Sequence, residues 1–394
     1  MRIGIHASNS RATGGSFQSM VTFLDALHSY ASEHEIVAVY LNDQENLKER
    51  YKGASWSWVD LKSALGITQE LPSNRELAPR IRPIVQALNL DILIFPTWTD
   101  GCWEWGVPYG FTVFDLQHRL QPEFSEVSYG KELGGSWKWR EEFFKKGLSG
   151  ASVIFVDSEE GKRNVLEFYD VQAKRIFPIP PSVPSTCFLQ LTEEERVGLI
   201  QAKNLPQRFL FYPAQFWPHK NHYRVVEALG ILHKEKGLEI PLVLVGRTFP
   251  EWSVYDAIMA LAGSFGIAKN IFHFGYVEDK ELVAFYQSAQ GLLMPTYFGP
   301  ANIPYIEAMY FQCPIIGSDL PGIREQIGSA GLLVNPRSSH SIADAVEKLW
   351  VDEELRSKLI KEGTKQLTHF LPEAVEKEIK KCIDVLPTLV GEND

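Results

Sequence analysis

The chain has 394 residues, of which 45% are hydrophobic and 22% charged, and its formal net charge at pH 7 is −10. This length exceeds what one hydrophobic core usually supports, so two domains of under about 200 residues each are expected. The negative charge argues against a general nucleic-acid binder but is compatible with a locally basic pocket for a diphosphate. The sequence has no apolar run of about 18 residues and no signal-peptide pattern at its start, so a cytoplasmic location is expected.

Neither a metal centre nor a disulfide framework is indicated. The cysteines lie far apart and lack metal-ligand spacing, at positions Cys102, Cys187, Cys313 and Cys382. No acidic cluster suited to an essential metal is evident. We therefore expect reduced, mostly buried thiols and a protein that needs no metal or other cofactor.

The first half of the chain alternates between strand and helix patterns. Short apolar strands are predicted at residues 2–7, 36–40, 92–95, 111–114 and 153–156. A helix is predicted from about Ser16 to Tyr30, where apolar residues recur at helical spacing, and another at 76–88. Such alternation predicts a mostly parallel sheet with helices on both faces.

A proline-rich segment at 179–184 indicates a linker, because proline removes backbone donors and cannot continue a helix or a central strand. The alternation then restarts. Strands are predicted at 209–212, 242–245, 271–274, 292–294 and 314–317, and helices at 221–236, 253–265, 279–288, 304–311, 339–351, 353–368 and 372–386. The pattern predicts an α/β protein with a first domain at 1–184, a second at 185–371, and a ligand cleft between them.

The stretch from Met294 to Met309 contains a strand end, a turn-rich loop and a helix that is predicted to begin near Pro304. Proline is favoured in a first helical turn, and the amides of Ile303, Tyr305 and Ile306 would then be free to bind an anion. Glu307, one turn into the helix, is suited to accept hydrogen bonds from ribose hydroxyls. The alternative is that this carboxylate only complements the helix dipole.

This stretch resembles the donor-binding motif of the family 4 glycosyltransferases. The family consists of retaining enzymes with the GT-B fold, in which two Rossmann-like, doubly wound domains face each other across a deep cleft. Its members usually carry two glutamates separated by seven residues, of which Glu307 matches the second while Gly299 occupies the place of the first. Backbone amides or Asn302 are the candidates to replace that missing carboxylate. The similarity covers residues 205–365, and it implies that the segment from about 372 to 394 packs back on the first domain.

The segment between Tyr212 and Asn221 joins the first strand of the second domain to a helix, with Asn221 as the expected N-cap. Lys220 would place a positive charge beside the helix amides, where it can neutralise a departing diphosphate; a solvated surface lysine is the alternative. In the resembling family an arginine and a lysine five residues apart share this role. Gln215 stands at the arginine position, so Lys220 and the helix amides would carry more of the charge, with help from Arg247.

The segment 272–277 ends a strand, and the resemblance implies that the nucleotide base binds against its backbone near Val277. Tyr276 is a candidate to stack on that base, with an ordinary core aromatic as the alternative.

In the first domain, Asp115 and His118 follow a buried strand and resemble an Asp-Leu-x-His segment of the same family. A histidine there can bind a sugar hydroxyl or carry a proton, and Asp115 can orient it or contact the substrate. Family members often have a second histidine where this chain has Phe114. Taken alone, His118 would more often be structural.

The loop after the first strand contains Gly14, Gly15 and Ser16. A glycine pair lets the backbone approach a ligand closely, and the resemblance implies a loop near the diphosphate and the acceptor. A tight turn is the alternative.

Together, these patterns predict a metal-independent, retaining hexosyltransferase. It would move a sugar from a nucleotide diphosphate donor to a glycan or lipid-linked acceptor in surface polysaccharide biosynthesis, with GDP-mannose favoured and UDP-sugars as the alternative. It would bind no nucleic acid, while peripheral association with the inner face of the membrane stays open. Two other functions also remain: a catalytically weak or inactive nucleotide-sugar or glycan-binding subunit, which the residues at 215 and 299 suggest, and a nucleotide-sugar epimerase of the same fold.

Overall fold

The structure is a computed structural model that describes residues 1–10, 13–30, 33–42, 45–68, 72–124 and 136–391. The described chain forms two compact units. The first contains residues 1–118, 136–182 and 371–391, and the second contains residues 119–124 and 183–370. The chain therefore passes from the first unit to the second within the proline-rich segment, and its last helix belongs to the first unit. Residues 392–394 of the predicted C-terminal segment lie outside the described residues.

The first unit is built on a seven-stranded parallel sheet with the strand order β3-β2-β1-β4-β5-β6-β7. The strands are β1 (Arg2–His6), β2 (Glu35–Tyr40), β3 (Ser57–Asp60), β4 (Ile92–Phe95), β5 (Tyr109–Val113), β6 (Val153–Val156) and β7 (Ile176–Pro178). Successive residues of β2 point to opposite faces: Ile36 and Ala38 enter one apolar core, while Val37 and Val39 enter the other. A strand buried on both faces reads as a continuous apolar run, which explains the sequence pattern.

Helices cover both faces of this sheet. They are α1 (Gly15–Tyr30), α2 (Leu47–Arg50), α3 (Leu61–Ala64), α4 (Asn74–Ala87), α5 (Gln117–Leu120), which runs across the boundary between the units, α6 (Trp137–Ser149) and α7 (Glu159–Phe168). The chain's last helix, α16 (Pro372–Gly391), returns to this unit and packs along α1. Its buried residues Ile379, Ile383 and Leu386 share one apolar core with Leu24 and Leu27 of α1.

The second unit has a six-stranded parallel sheet with the order β10-β9-β8-β11-β12-β13. The strands are β8 (Leu210–Pro213), β9 (Leu242–Val245), β10 (Ile271–His273), β11 (Gly291–Met294), β12 (Ile315–Ser318) and β13 (Gly331–Val334). The helices are α8 (Glu193–Ala202), α9 (His222–Lys236), α10 (Val254–Phe265), α11 (Asp279–Ser288), α12 (Ile303–Tyr310), α13 (Pro321–Ile327), α14 (Ser339–Val351) and α15 (Glu353–Leu367). The predicted α/β class with two doubly wound sheets is confirmed.

Two further sequence expectations can be compared with the structure. All four cysteines are buried and none forms a disulfide, as expected. Within the described segments, every helix is too short or too polar to span a bilayer.

Leu386 provides a test of how strongly the C-terminal helix stabilises the first unit. Leu386→Ala would leave a cavity between α16 and α1, and we expect it to lower the free energy of unfolding by about 2–5 kcal/mol. The neighbouring Val385 is 39% exposed on the same helix, so Val385→Ala should change that free energy by no more than about 0.5 kcal/mol.

Denaturant unfolding followed by tryptophan fluorescence measures this difference, because seven of the ten tryptophans lie in the first unit. Equal effects of the two substitutions would show that α16 does not stabilise the unit through its buried face.

Candidate functional site

The loops that follow β8 and β11 bring Lys220 and Asn302 together in the second unit. These strands are neighbours in a parallel sheet, so their carboxyl ends lie side by side. Lys220 ends a 3-10 turn, Pro218–Lys220, and Asn302 immediately precedes α12. The Lys220 Nζ lies 3.5 Å from the Asn302 Oδ1. The structure thus places the predicted lysine beside the amino end of the helix that carries Glu307.

Gln326 holds Asn302 in this position through two backbone hydrogen bonds. The Asn302 amide donates to the Gln326 Oε1 at 2.8 Å, and the Gln326 Nε2 donates to the Asn302 carbonyl at 2.8 Å. Gln326 is itself buried on α13. The start of α13 also approaches the loop closely, because a Cβ at Gly322 would lie 2.6 Å from the Pro300 Cα. Helix α13 therefore fixes the loop that leads into α12.

Gly299 has a conformation that explains why no acidic residue stands there. Its φ is +111°, a region that residues with a side chain rarely adopt. A Cβ at this position would also lie 2.9 Å from the Asn302 Nδ2, which donates to the Gly299 carbonyl at 3.0 Å. A carboxylate at position 299 would therefore displace the Asn302 side chain that now faces Lys220.

The amino end of α12 agrees with the expectation in its position but not in its free amides. The helix begins at Ile303, one residue before Pro304, as expected. Of the three amides that were predicted to be free, that of Tyr305 donates to the Asn302 carbonyl at 3.3 Å. Among the described residues the Ile303 amide has no hydrogen-bond acceptor. The helix start thus offers fewer free donors than the sequence suggested.

Glu307 lies inside the second unit, with only 8% of its surface exposed. It accepts a hydrogen bond of 2.7 Å from the Tyr286 hydroxyl on α11. Burial raises the pKa of the Glu307 carboxyl above its ordinary value, to about 7, although the Tyr286 hydrogen bond acts in the opposite direction. In this structure Glu307 contacts Tyr286, whereas the sequence predicted contact with a ribose.

The residues around Lys220 form a rigid support. The Tyr212 hydroxyl donates to the Lys220 carbonyl. Asn221 was expected to cap α9, but its side chain makes no cap bond. Instead, Asn221 has a positive φ of 62°, and its Nδ2 donates to the carbonyls of Pro295 and Pro336 at 2.7 and 2.8 Å. Asn221 therefore joins the turn that carries Lys220 to the strand end before α12.

Gln215 and Arg247 lie on adjoining loops after β8 and β9. Both side chains are exposed. The Gln215 Oε1 accepts a hydrogen bond of 2.8 Å from the Trp217 Nε1. The Trp217 ring stacks on Phe249 with a centroid distance of 3.9 Å, and the Arg247 guanidinium lies 5.0 Å from the centre of the same Phe249 ring.

Tyr276 and Val277 follow β10 and have opposite environments. Tyr276 is 89% exposed and is thus accessible to a planar ligand, whereas Val277 is buried. The preceding Gly275 is joined to the loop after β9, because its carbonyl accepts from the Gly246 amide at 2.7 Å.

In the first unit, Asp115 and His118 are held by two residues of α6. Asp115 is half-buried and forms an ion pair with Arg140, which is buried. His118 is fully buried, stacks on Phe144, and its Nε2 lies 3.2 Å from the Glu141 Oε2. Burial and the nearby Arg140 lower the pKa of His118 to about 4. His118 therefore lies where a sugar cannot touch it in this conformation, whereas the Asp115 carboxylate remains partly accessible.

Gly14, Gly15 and Ser16 form the start of α1, at the carboxyl end of β1. Gly14 and Gly15 are exposed and Ser16 is half-buried. Gly14 has a φ of +57° and no atom within 4 Å of where a Cβ would lie. Its carbonyl accepts the Gln18 amide, which closes the first turn of the helix. A turn of this kind fits the structural alternative and also leaves the backbone open to a ligand.

Four residues that support these sites were not identified from the sequence: Gln326, Tyr286, Arg140 and Glu141. Each belongs to a helix distant in the chain from the residue that it contacts. Arg140 offered the only signal, since a charged residue among aromatic ones on an amphipathic helix is rarely buried without a partner. In the described ranges no group of three or more His, Cys, Asp or Glu residues could hold a metal ion.

A family model matches the second unit of the chain. Residues 198–366 match the family model for glycosyl transferases group 1. The serotype-specific mannosyltransferase WbdA of Escherichia coli is 27% identical over 205 residues, which are 52% of this chain and 25% of WbdA. The O-antigen chain mannosyltransferase B of Escherichia coli is 23% identical over 234 residues, which are 59% of this chain and 60% of that protein. The match thus spans a quarter to three fifths of the length of these curated relatives.

The whole chain resembles a solved structure. The crystal structure of Anabaena Alr3699/HepE in complex with UDP and glucose matches with a TM-score of 0.72 at 15% sequence identity, over 98% of this chain and 99% of that chain. At this level of identity the likeness concerns the fold.

Glu307 should make the stability of the second unit depend on pH. Its pKa is raised to about 7 in the folded state, so between about pH 4.3 and pH 7 the unfolded chain ionises first and the folded state loses stability as the pH rises. The loss should reach a few kcal/mol, roughly 4 at most, at about 1.4 kcal/mol per pKa unit.

Glu307→Gln replaces the titrating carboxyl with a neutral amide. We therefore expect the melting temperature of this variant to rise relative to that of the wild type as the pH increases from 5 to 8. Calorimetry at several pH values measures this, with Glu325→Gln, on the exposed side of α13, as the control. Parallel pH curves for the wild type and Glu307→Gln would refute the raised pKa.

Proposed function

We propose that this chain, which has the GT-B fold and carries the glycosyl transferases group 1 domain in residues 198–366, is a retaining hexosyltransferase. It would transfer a sugar from a nucleotide diphosphate donor to a glycan or lipid-linked acceptor. The observation that carries the proposal is the position of the Lys220 Nζ, 3.5 Å from the Asn302 Oδ1 at the start of α12.

Lys220 and α12 are suited to stabilise a departing diphosphate. A nucleoside diphosphate gains negative charge as it leaves the sugar. An ammonium group and the positive end of a helix dipole, both fixed before the reaction, offset that charge without reorganisation. The two hydrogen bonds between Gln326 and the Asn302 backbone keep the helix start in place. Asn302 would then bind a phosphate or sugar oxygen through its amide group.

The reaction would break the bond between the anomeric carbon and the β-phosphate oxygen, whose electron pair stays with the diphosphate. The oxygen of an acceptor hydroxyl would form the new bond on the same face of the sugar, and its proton would pass to the departing diphosphate. Configuration is then retained without an enzyme nucleophile. We propose that no metal takes part, since Lys220 and the helix amides supply the positive charge.

GDP-mannose is the donor that we favour. The two curated relatives named above are both mannosyltransferases, and the name of one refers to the O-antigen chain. We therefore place the protein in the synthesis of a surface polysaccharide. UDP-sugars are the alternative, because HepE was crystallised with UDP. Exposed Tyr276 would stack on the base in either case, while Glu307, held by Tyr286, would support α12 from inside.

The first unit would bind the acceptor. Gly14, Gly15 and Ser16 offer an accessible backbone at the start of α1, and Asp115 offers a partly accessible carboxylate. His118 is buried and would act through its neighbours as a positioning residue. A lipid-linked acceptor would bring the protein to the inner face of the membrane as a peripheral protein.

One specific observation favours a second candidate, a nucleotide-sugar or glycan-binding subunit with weak or no catalysis. Two of the positions at which the resembling family has charged residues, 215 and 299, lack them here, and the Gln215 side chain accepts a hydrogen bond from Trp217. Such a subunit would bind GDP or UDP but transfer no sugar to any acceptor. An epimerase would instead rearrange the donor sugar with no acceptor present.

Lys220→Ala tests the proposal. Removing the ammonium should lower kcat for sugar transfer at least tenfold, or about 1.4 kcal/mol of barrier, because the departing diphosphate loses a charge partner. Transfer from GDP-mannose and from UDP-glucose to a membrane lipid extract and an oligosaccharide panel measures this. Lys269→Ala is the matched control, since Lys269 pairs with Glu239 at the opposite end of the same sheet.

Three results would each overturn the proposal: kcat of Lys220→Ala equal to that of the wild type, nucleotide binding by calorimetry without transfer to any acceptor, or conversion of the donor sugar in the absence of an acceptor.

A further inference from the structure

We infer that Arg247 supplies the second positive charge to the leaving diphosphate, in place of the arginine that residue 215 does not provide. The inference rests on the function proposed above and assigns a specific contact within that site. It depends on where the Gln215 side chain is held, on the path of the loop after β9, and on the surroundings of the Arg247 guanidinium.

Gln215 cannot replace an arginine at its own position. Its Oε1 accepts from the Trp217 Nε1 at 2.8 Å, so the side chain is directed to its own turn. Its Nε2 can donate a hydrogen bond but carries no charge. Trp217 is buried and stacks on Phe249. The loop after β8 therefore contributes one cation, Lys220, where two would suit a diphosphate.

The loop after β9 lies directly against this turn. The Phe216 amide donates to the Arg247 carbonyl at 3.0 Å. A Cβ at Gly246 would lie 2.2 Å from the Ala214 carbonyl oxygen and 2.8 Å from the Gln215 nitrogen, so only glycine permits this approach. The backbone of residue 247 is thus fixed beside that of residues 215 and 216.

The Arg247 and Gln215 side chains contact opposite members of one stacked pair of rings, Phe249 and Trp217. The Arg247 guanidinium lies 5.0 Å from the centre of the Phe249 ring, Phe249 stacks on Trp217, and Trp217 holds Gln215. A guanidinium placed over a ring loses less conformational freedom when it binds an anion, because its position is already restricted. The stack therefore presents a preorganised cation at the neighbouring strand end.

Arg247 is also available to a ligand. Its side chain is exposed, and it forms no ion pair with any residue that the structure describes. Many of the chain's other arginines are paired with carboxylates, as Arg196 is with Glu193 and Arg324 is with Asp319. A planar guanidinium can bind two phosphate oxygens at once, which gives it an advantage over a second lysine.

A charge exchange between positions 215 and 247 tests the inference. We expect Arg247→Ala to weaken the binding of GDP or UDP about tenfold and to change the binding of GMP or UMP by less than about twofold, because the guanidinium would contact the β-phosphate. Adding Gln215→Arg to Arg247→Ala should restore diphosphate affinity to within about threefold of the wild type. Calorimetry of each variant with the four nucleotides measures both effects.

Arg208→Ala is the matched control. Arg208 also lies over an aromatic ring, that of Trp350, but at the amino end of β8. Because Arg247 is exposed, its variants should melt at the wild-type temperature, which separates loss of binding from loss of folding.

Diphosphate affinity of Arg247→Ala equal to that of Arg208→Ala would overturn the inference, and so would a double variant that stays as weak as Arg247→Ala. If Lys220→Ala lowers transfer while Arg247→Ala has no effect, only the inference fails. If the wild type binds neither GDP nor UDP, the proposed function fails with it.

Discussion

The candidate site depends on one constraint, the pair of hydrogen bonds through which Gln326 fixes the backbone of Asn302. Those bonds determine where α12 begins, and so the direction in which its first amides and the Asn302 side chain point. The Asn302 Nδ2 donates to the Gly299 carbonyl, which leaves the Asn302 Oδ1 directed toward Lys220 on the neighbouring strand end. Without these two hydrogen bonds from Gln326, a loop that contains glycine and two prolines would have many conformations. A site that stabilises charge needs its donors fixed in one conformation before the reaction.

The central strands could be predicted from the sequence, while three strands at the sheet edges could not. Strands β3, β7 and β13 were not predicted, and they are the outermost strands of their sheets apart from β10. Their residues are mostly half-buried, as in the Ser57–Asp60 strand. An edge strand contacts the core on fewer sides, so β3, with Ser57 and Asp60 at its ends, lacks the continuous apolar run that identifies a central strand. Helix ends were predicted to within a few residues where a cap was present, as for the helix at 339–351, which Ser338 caps.

The sequence indicated which residue types could serve in the site, but it did not indicate which of those side chains are buried. Glu307 and His118 were expected to face a ligand, and both are inside, bound to Tyr286 and Glu141 respectively. Local sequence cannot show which side of a short helix meets the core when the partner lies on another helix. Tyr286 is 21 positions from Glu307 along the chain. Tyr276, which lies in a loop after a strand, is 89% exposed, which fits the predicted stacking role rather than the core alternative, because loops at strand ends rarely carry the core.

The two departures from the family pattern have physical causes within the fold. At position 299 a positive φ and the contact with Asn302 require glycine, and Asn302 presents an oxygen to Lys220. At position 215 the glutamine completes a turn with Trp217, beside a loop that carries Arg247. Under the proposed function, Asn302 would act in place of the missing carboxylate and Arg247 in place of the missing arginine. The packing of Gly246 against Ala214 and the bonds of Gln326 to Asn302 fix the backbones on which both replacements would depend. The proposed function therefore needs no charged side chain at position 215 or 299, because the fold places a polar or charged neighbour beside each.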